Sequence, residues 1–157
     1  MNRVAAAGLA LALVALPAQA ETIQGRARVV DGDSIEIRKR PIRLTAIDAP
    51  ELSQTCQRDG KEWACGLVAA AQLRLLIKKR RVICQSEGLD RYGRWLAACK
   101  VADVDLGGEM VAAGLALAYR RYSSRYVTEE NAARAAKQGL WAGEFDPPET
   151  WRRAHPF

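Results

Sequence analysis

Short β-branched segments, broken at close intervals by turn residues, gather in the first third of the chain, and they rule out an all-helical fold. Residues 26–30, 34–38 and 41–46 carry the pattern, with Ile35 and Ile37 alternating against Glu36 and Arg38. Period-two alternation of this kind marks strands with one buried face. Asp31-Gly32-Asp33 divides the first two segments as a hairpin turn, and Lys39-Arg40 with Pro41 makes the next connection. The spacing then turns helical over 66–79, where Leu67, Ala70, Ala71 and Leu75 are expected on the buried face. The basic run Lys78-Lys79-Arg80-Arg81 suits the C-terminal end of that helix dipole. Further strands are expected over 82–86 and 95–101, joined by a loop over 87–94. A second helix over 108–113 ends near Gly114, and a third opens with Thr128 as N-cap and stops at Gly139. The order β-β-β-α-β-β describes an α+β domain, a five-stranded OB-fold β-barrel flanked by three α-helices.

Residues 1–20 read as a cleaved Sec-type signal peptide. Arg3 starts it, residues 4–16 are apolar, and Ala18-Gln19-Ala20 offers a small-x-small cleavage site. About 13 apolar residues are fewer than the roughly 20 a bilayer span requires. An exported, periplasmic or secreted protein is expected, without stable membrane association after cleavage. In that oxidising setting Cys56, Cys65, Cys84 and Cys99 are expected to form disulfides. Three pairings are open, of which Cys56–Cys65 and Cys84–Cys99 are preferred as local in sequence. The spacings do not suit zinc, which prefers Cys-x2-Cys pairs. The remaining 137 residues suit one domain, over 21–143, with an extended C-terminal tail over 144–157.

The chain of 157 residues has a single histidine, His155, close to its end. Ser-His-Asp, Cys-His and two-histidine chemistry are therefore disfavoured. Carboxylates, arginines or a hard metal ion must carry any reaction. Lys and Arg number 24 against 18 Asp and Glu, a formal charge of +6, which points to a polyanionic partner.

Four segments concentrate residues that suit such chemistry: Val30-Asp31-Gly32-Asp33-Ser34, Ile42-Arg43-Leu44, Ile47-Asp48-Ala49-Pro50-Glu51 and Asp90-Arg91-Tyr92-Gly93-Arg94. Asp33 and Asp48 offer hard oxygen ligands from two strand ends, which Ca2+ favours. Arg43 and Arg94 can fork onto one phosphate, and Glu51 is left as a base or water-positioning group. In this order and spacing the segments resemble the staphylococcal-nuclease-like (thermonuclease) family. The resemblance continues through Gly114-Leu115-Ala116 and Gly139-Leu140-Trp141 and covers about 27–141.

That resemblance implies an OB-fold barrel with three helices and a Ca2+-dependent phosphodiesterase acting on DNA and/or RNA. Position by position, it implies Asp33 and Asp48 as metal carboxylates, with the backbone carbonyl of Ala49 as a further ligand. Arg43 and Arg94 correspond to the phosphate-binding arginines of catalysis and Glu51 to the family's general base. Arg91 and Tyr92 match positions that contact a terminal phosphate, and Tyr119 and Tyr122 positions beside the nucleotide base. Ser34 departs from a usual Thr but keeps the hydroxyl. Ala49 departs from a Thr where the backbone is what contributes. Stacking on tyrosines with phosphates on arginines implies little sequence preference and a salt-sensitive activity. A monomer is expected. Two other classes fit the composition: a non-catalytic OB-fold module binding nucleic acid or protein, and a secreted adhesive domain facing anionic polymers. The joint presence of Asp33, Arg43, Asp48, Glu51 and Arg94 favours the enzyme.

Overall fold

The structure, a computed structural model, describes residues 20–156. The expected signal segment therefore lies outside the described residues except for Ala20. Strands β1 (Thr22–Val29), β2 (Ser34–Ile37) and β3 (Arg40–Leu44) form an antiparallel meander. The remaining barrel strands are β7 (Arg81–Leu89) and β8 (Trp95–Val101). β1 pairs with β7, β7 with β8, and β8 closes the ring by pairing parallel to β3 with Ile42 opposite Trp95. This is the expected five-stranded OB barrel. Alternate residues point inward, so Ile35, Ile37, Ile42, Leu44, Val82 and Val101 are all at most 2% exposed. Each such side chain contributes roughly 1.5–3 kcal/mol through burial.

Between the meander and β7 come the two-residue β4 (Ile47–Asp48), a hairpin β5 (Cys56–Arg58)–β6 (Lys61–Trp63), and helix α1 (Cys65–Ile77). The hairpin was not foreseen. Its turn is Asp59-Gly60, both with positive φ (52° and 71°), the conformation a tight two-residue hairpin requires. Helix α1 buries a different face from the one expected: Gly66, Ala69, Ala70, Leu73 and Ile77 face inward, whereas Leu67 and Leu75 are exposed. Cys65, bonded to Cys56, sets the helix phase, and the small residues at 66, 69 and 70 allow its close approach.

After β8 follow β9 (Val104–Asp105), α2 (Leu106–Ala112), β10 (Leu117–Ala118) and α3 (Val127–Ala135). Asp105 caps α2 by accepting from the Gly107 N–H at 3.0 Å, which starts that helix before Gly108. Thr128 is not the cap of α3. Tyr126 occupies that position, its ring buried and its hydroxyl donating to Asp105 Oδ2 at 2.8 Å. The chain leaves α3 at Ala136, short of Gly139, through Lys137 in the left-handed region (φ 53°). A short 3-10 turn spans Gly139–Ala142.

The C-terminal segment is not the extended tail expected. Pro148, at a helical position where no N–H bond is lost, opens a fourth helix, α4 (Pro148–Ala154). Three flanking helices were expected; four α-helices stand among the described residues. Both preferred disulfides are present, Cys56–Cys65 and Cys84–Cys99, the second joining residues directly opposite across β7 and β8. In the chain-entropy picture, loops of this size give each about 3 kcal/mol. No helix among the described residues is long and apolar enough to cross a membrane.

Candidate active site

Three strand ends meet at one rim of the barrel. Ser34 pairs with Arg43 across β2 and β3, and the Leu44 N–H donates to the Asp33 carbonyl at 2.8 Å, so Asp33 and Arg43 are neighbours by register. The chain then turns at Ala46 (φ 64°) into β4, and β10 pairs with it, Leu117 opposite Asp48. Tyr119 is thereby carried to the same rim.

Asp33 and Asp48 are each 3% exposed. Buried carboxylates demand partners, and each has several. The Arg43 guanidinium bridges them, Nη1 donating to Asp33 Oδ1 and Nη2 to Asp48 Oδ1 at 3.0 Å. Asp33 Oδ1 also accepts from the Ser34 hydroxyl at 3.0 Å, and its Oδ2 from the Ala49 N–H at 2.9 Å. Burial opposes the charge on Arg43, but Asp33 and Asp48 outweigh it and raise its pKa. Burial likewise pushes the Asp48 carboxyl upward, against the pull of its guanidinium partners.

Glu51 follows Pro50 onto the next loop, held by Gln54. This glutamine is fully buried, its Oε1 accepting from the Glu51 N–H at 3.3 Å and its N–H donating to the Glu51 carbonyl at 2.8 Å. Helix α1 begins hard against that loop: a Cβ at Gly66 would lie 1.8 Å from the Glu51 carbonyl oxygen. Only glycine permits this approach.

Two contributors were missed in the sequence. Asp31 accepts from the Asp33 N–H at 3.0 Å, and its carboxyl is pushed up to about 6 by burial and by the charges of Asp33 and Glu51. Arg152, from α4, reaches Asp48 Oδ1 at 2.9 Å, Asp48 Oδ2 at 3.2 Å and Glu51 Oε1 at 2.8 Å. Burial opposes its charge, but hydrogen bonds to Asp48 and Glu51 raise its pKa well above the ordinary arginine value. The signal for Arg152 was Pro147-Pro148-Glu149, a helix start placing Arg152 one turn on. Its destination had no local mark.

Arg91, Tyr92 and Arg94 belong to the loop between β7 and β8. Arg94 is turned to Asp90, Nε to Oδ2 at 2.8 Å, rather than to Asp33, Asp48 or Glu51. Burial disfavours the Asp90 charge, but hydrogen bonds from Arg94 and from the Tyr92 N–H outweigh it and hold the carboxyl below its usual range. Tyr92 is 69% exposed, with the Arg91 guanidinium 4.9 Å and that of Arg94 5.7 Å from its ring centre. Tyr119 and Tyr122 meet edge to face at 4.9 Å, and Tyr122 is largely exposed. Burial, with the charges of Glu149 and Asp48, raises the Tyr119 pKa. Among the described residues no three His, Cys, Asp or Glu side chains are grouped to hold a metal ion by themselves. The acidic set is the two buried carboxylates Asp33 and Asp48, with Asp31 and Glu51 close by.

A closed OB barrel with buried carboxylates bridged by guanidiniums at one rim defines a phosphate-handling protein of the nuclease type. Residues 41–143 match the family described as staphylococcal nuclease homologue, and the chain belongs to that family. It is a nuclease, a hydrolase of phosphodiester bonds. It is 32% identical to a micrococcal nuclease of Shigella flexneri, covering 96% of this chain and 91% of the relative. It is 34% identical to a Haemophilus influenzae protein described as an uncharacterized endonuclease (80% and 70% covered). It is also 33% identical to the succinoglycan biosynthesis protein ExoI of Rhizobium meliloti (80% and 68% covered).

Proposed function

We propose that this nuclease is an exported, monomeric, Ca2+-dependent enzyme that hydrolyses DNA and/or RNA with little sequence preference. The observation that carries the reading is the buried Asp33–Arg43–Asp48 cluster with Glu51 alongside. An all-oxygen donor set suits a hard cation; burial first, and then the charges of Asp33 and Glu51, push the Asp31 carboxyl up to about 6. The residues therefore fit Ca2+, held by the Asp33 and Asp48 carboxylates and the Ala49 carbonyl with waters. Bound there, the ion would polarise a phosphate oxygen and offset charge.

The chain's own residues do the rest. Glu51 orients the attacking water and accepts its proton. Arg43 stands beside the carboxylates and binds a phosphate oxygen as charge builds on the pentacoordinate phosphorus. Arg94, whose side chain is 32% exposed, reaches the same phosphate by leaving Asp90, whose carboxylate keeps the Tyr92 and Arg94 backbone N–H groups. Arg91 and Tyr92 are exposed beside it for a terminal phosphate, and Tyr119 with Tyr122 offers faces for a base. The two disulfides and the signal-like leader support export.

Incubating the purified protein with DNA and with RNA, first with Ca2+ and then with excess chelator, tests the reading. Cleavage that needs Ca2+ is expected. Nucleic-acid binding with no cleavage in either condition would refute it.

A further inference from the structure

The C-terminal segment is fastened to the loop that carries Glu51. Gln57 and Glu144 exchange two backbone hydrogen bonds at 2.8 and 2.9 Å, and Arg58 donates to the Gly139 carbonyl at 2.6 Å. Phe145 packs on the cluster around the Cys56–Cys65 bridge. Gln54, which holds Glu51 from one side of its amide, uses the other to donate to the Asp146 carbonyl at 2.8 Å. One buried glutamine thus ties the Glu51 loop to the residues just before α4. Pro148 is buried at the start of that helix, and Arg152 lies one turn further on.

Arg152 has what a solvated tail arginine lacks. Its side chain is 28% exposed, and its fork takes both oxygens of Asp48 while Nη1 also holds Glu51. Arg153, its neighbour, is exposed. Among the described residues, Arg152 is the side chain that holds the Glu51 carboxylate. Asp48 accepts three guanidinium N–H groups, two of them from Arg152. A cation that takes Asp48 must displace some of them.

We propose that Arg152 is a positioning residue of this nuclease: it holds Glu51 in register with Asp48, and it yields Asp48 to the divalent cation on metal binding. The proposal rests on the Ca2+-dependent reading above. A fork at the end of an anchored helix sets the Glu51 carboxylate at a defined place, where a free glutamate would sample several rotamers. The same positive charge competes with the cation for Asp48, so its loss makes the cluster more negative and favours metal.

The test uses Arg152→Gln, with Arg153→Gln as the neighbouring control and a melting curve to confirm folding. The expected result is a kcat at least tenfold lower with KM changed less than threefold. Ca2+ binding, measured by calorimetry without nucleic acid, is expected to tighten three- to tenfold. Arg153→Gln should match the parent in both. A kcat within twofold of the parent, or a Ca2+ affinity unchanged or weakened, would overturn the proposal. Should Arg152→Gln fail to fold, Arg152→Lys serves. It keeps a charge without the planar fork, so kcat should still fall at least fivefold, and a kcat equal to the parent's overturns the proposal. If the parent itself does not cleave with Ca2+, the Ca2+-dependent reading fails and the calorimetric comparison alone decides the exchange at Asp48. If the parent cleaves and Arg152→Gln equals it, Arg152 alone is at fault.

Discussion

Replacing Asp31 with asparagine should stabilise the metal-free protein, and only above a defined pH. The carboxyl of Asp31 is raised from 3.8 to about 6 in the folded chain, first by burial and then by Asp33 and Glu51. The folded state therefore holds a proton that the unfolded state has released between about pH 4 and pH 6. Stability is lost as pH rises through this window, and above it the loss is complete. A shift of about two units corresponds to roughly 3 kcal/mol. Asparagine keeps an acceptor for the Asp33 N–H and removes the charge, so the gain should be near zero at pH 4 and approach 3 kcal/mol by pH 7.5. For a domain of this size that is a rise in Tm of roughly 10 °C. Chemical denaturation in chelator at pH 4, 5, 6 and 7.5, with parent and variant compared, measures it. Adding Ca2+ should shrink the part of the gap that comes from the charges of Asp33 and Glu51, because a cation offsets them. A gap constant across pH, or a variant less stable than the parent at pH 7.5, would refute the reasoning.

Two other outcomes follow from the same geometry. Replacing both Cys84 and Cys99 by alanine should cost about 3 kcal/mol in denaturant unfolding through the lost cross-link, plus a contribution from the emptied core site. Nucleic-acid affinity should fall as salt rises: three phosphate contacts, from Arg43, Arg91 and Arg94, predict a log–log slope near −2 on single strands. A salt-independent affinity would remove those arginines from the interface.

Local chemistry carried most of the barrel. Alternation at Ile35 and Ile37 marked the strands, and the pairing of β7 with β8 sets Cys84 opposite Cys99, where the preferred local disulfide forms. What failed did so where tertiary contacts override local preference. The apolar residues Leu67 and Leu75 suggested one face of α1, but the disulfide at Cys65 and the close approach at Gly66 turned the helix so that they face solvent. The Asp59-Gly60 turn is legible, but its flanks, Cys56–Arg58 and Lys61–Trp63, are too short and polar to carry a strand pattern of their own. The site shows the same division. Asp33, Arg43, Asp48 and Glu51 lie within 19 residues and fold together through strand register. Arg152 arrives from about 100 residues away, on a segment whose polar composition resembles an ordinary tail. Arg94 was legible as a residue but not in its resting partner, because the choice between Asp90 and a phosphate depends on the substrate.

The central claim is that one rim cluster divides metal holding from proton handling. Calorimetric Ca2+ affinity and cleavage rate, measured together on Glu51→Gln and Asp33→Asn, test it most directly. Glu51→Gln should lose at least a hundredfold in kcat while binding Ca2+ within about threefold of the parent, and Asp33→Asn should lose Ca2+ affinity and activity together. A Glu51→Gln protein that cleaves at the parent's rate, or an Asp33→Asn protein that binds Ca2+ unchanged, would contradict the account.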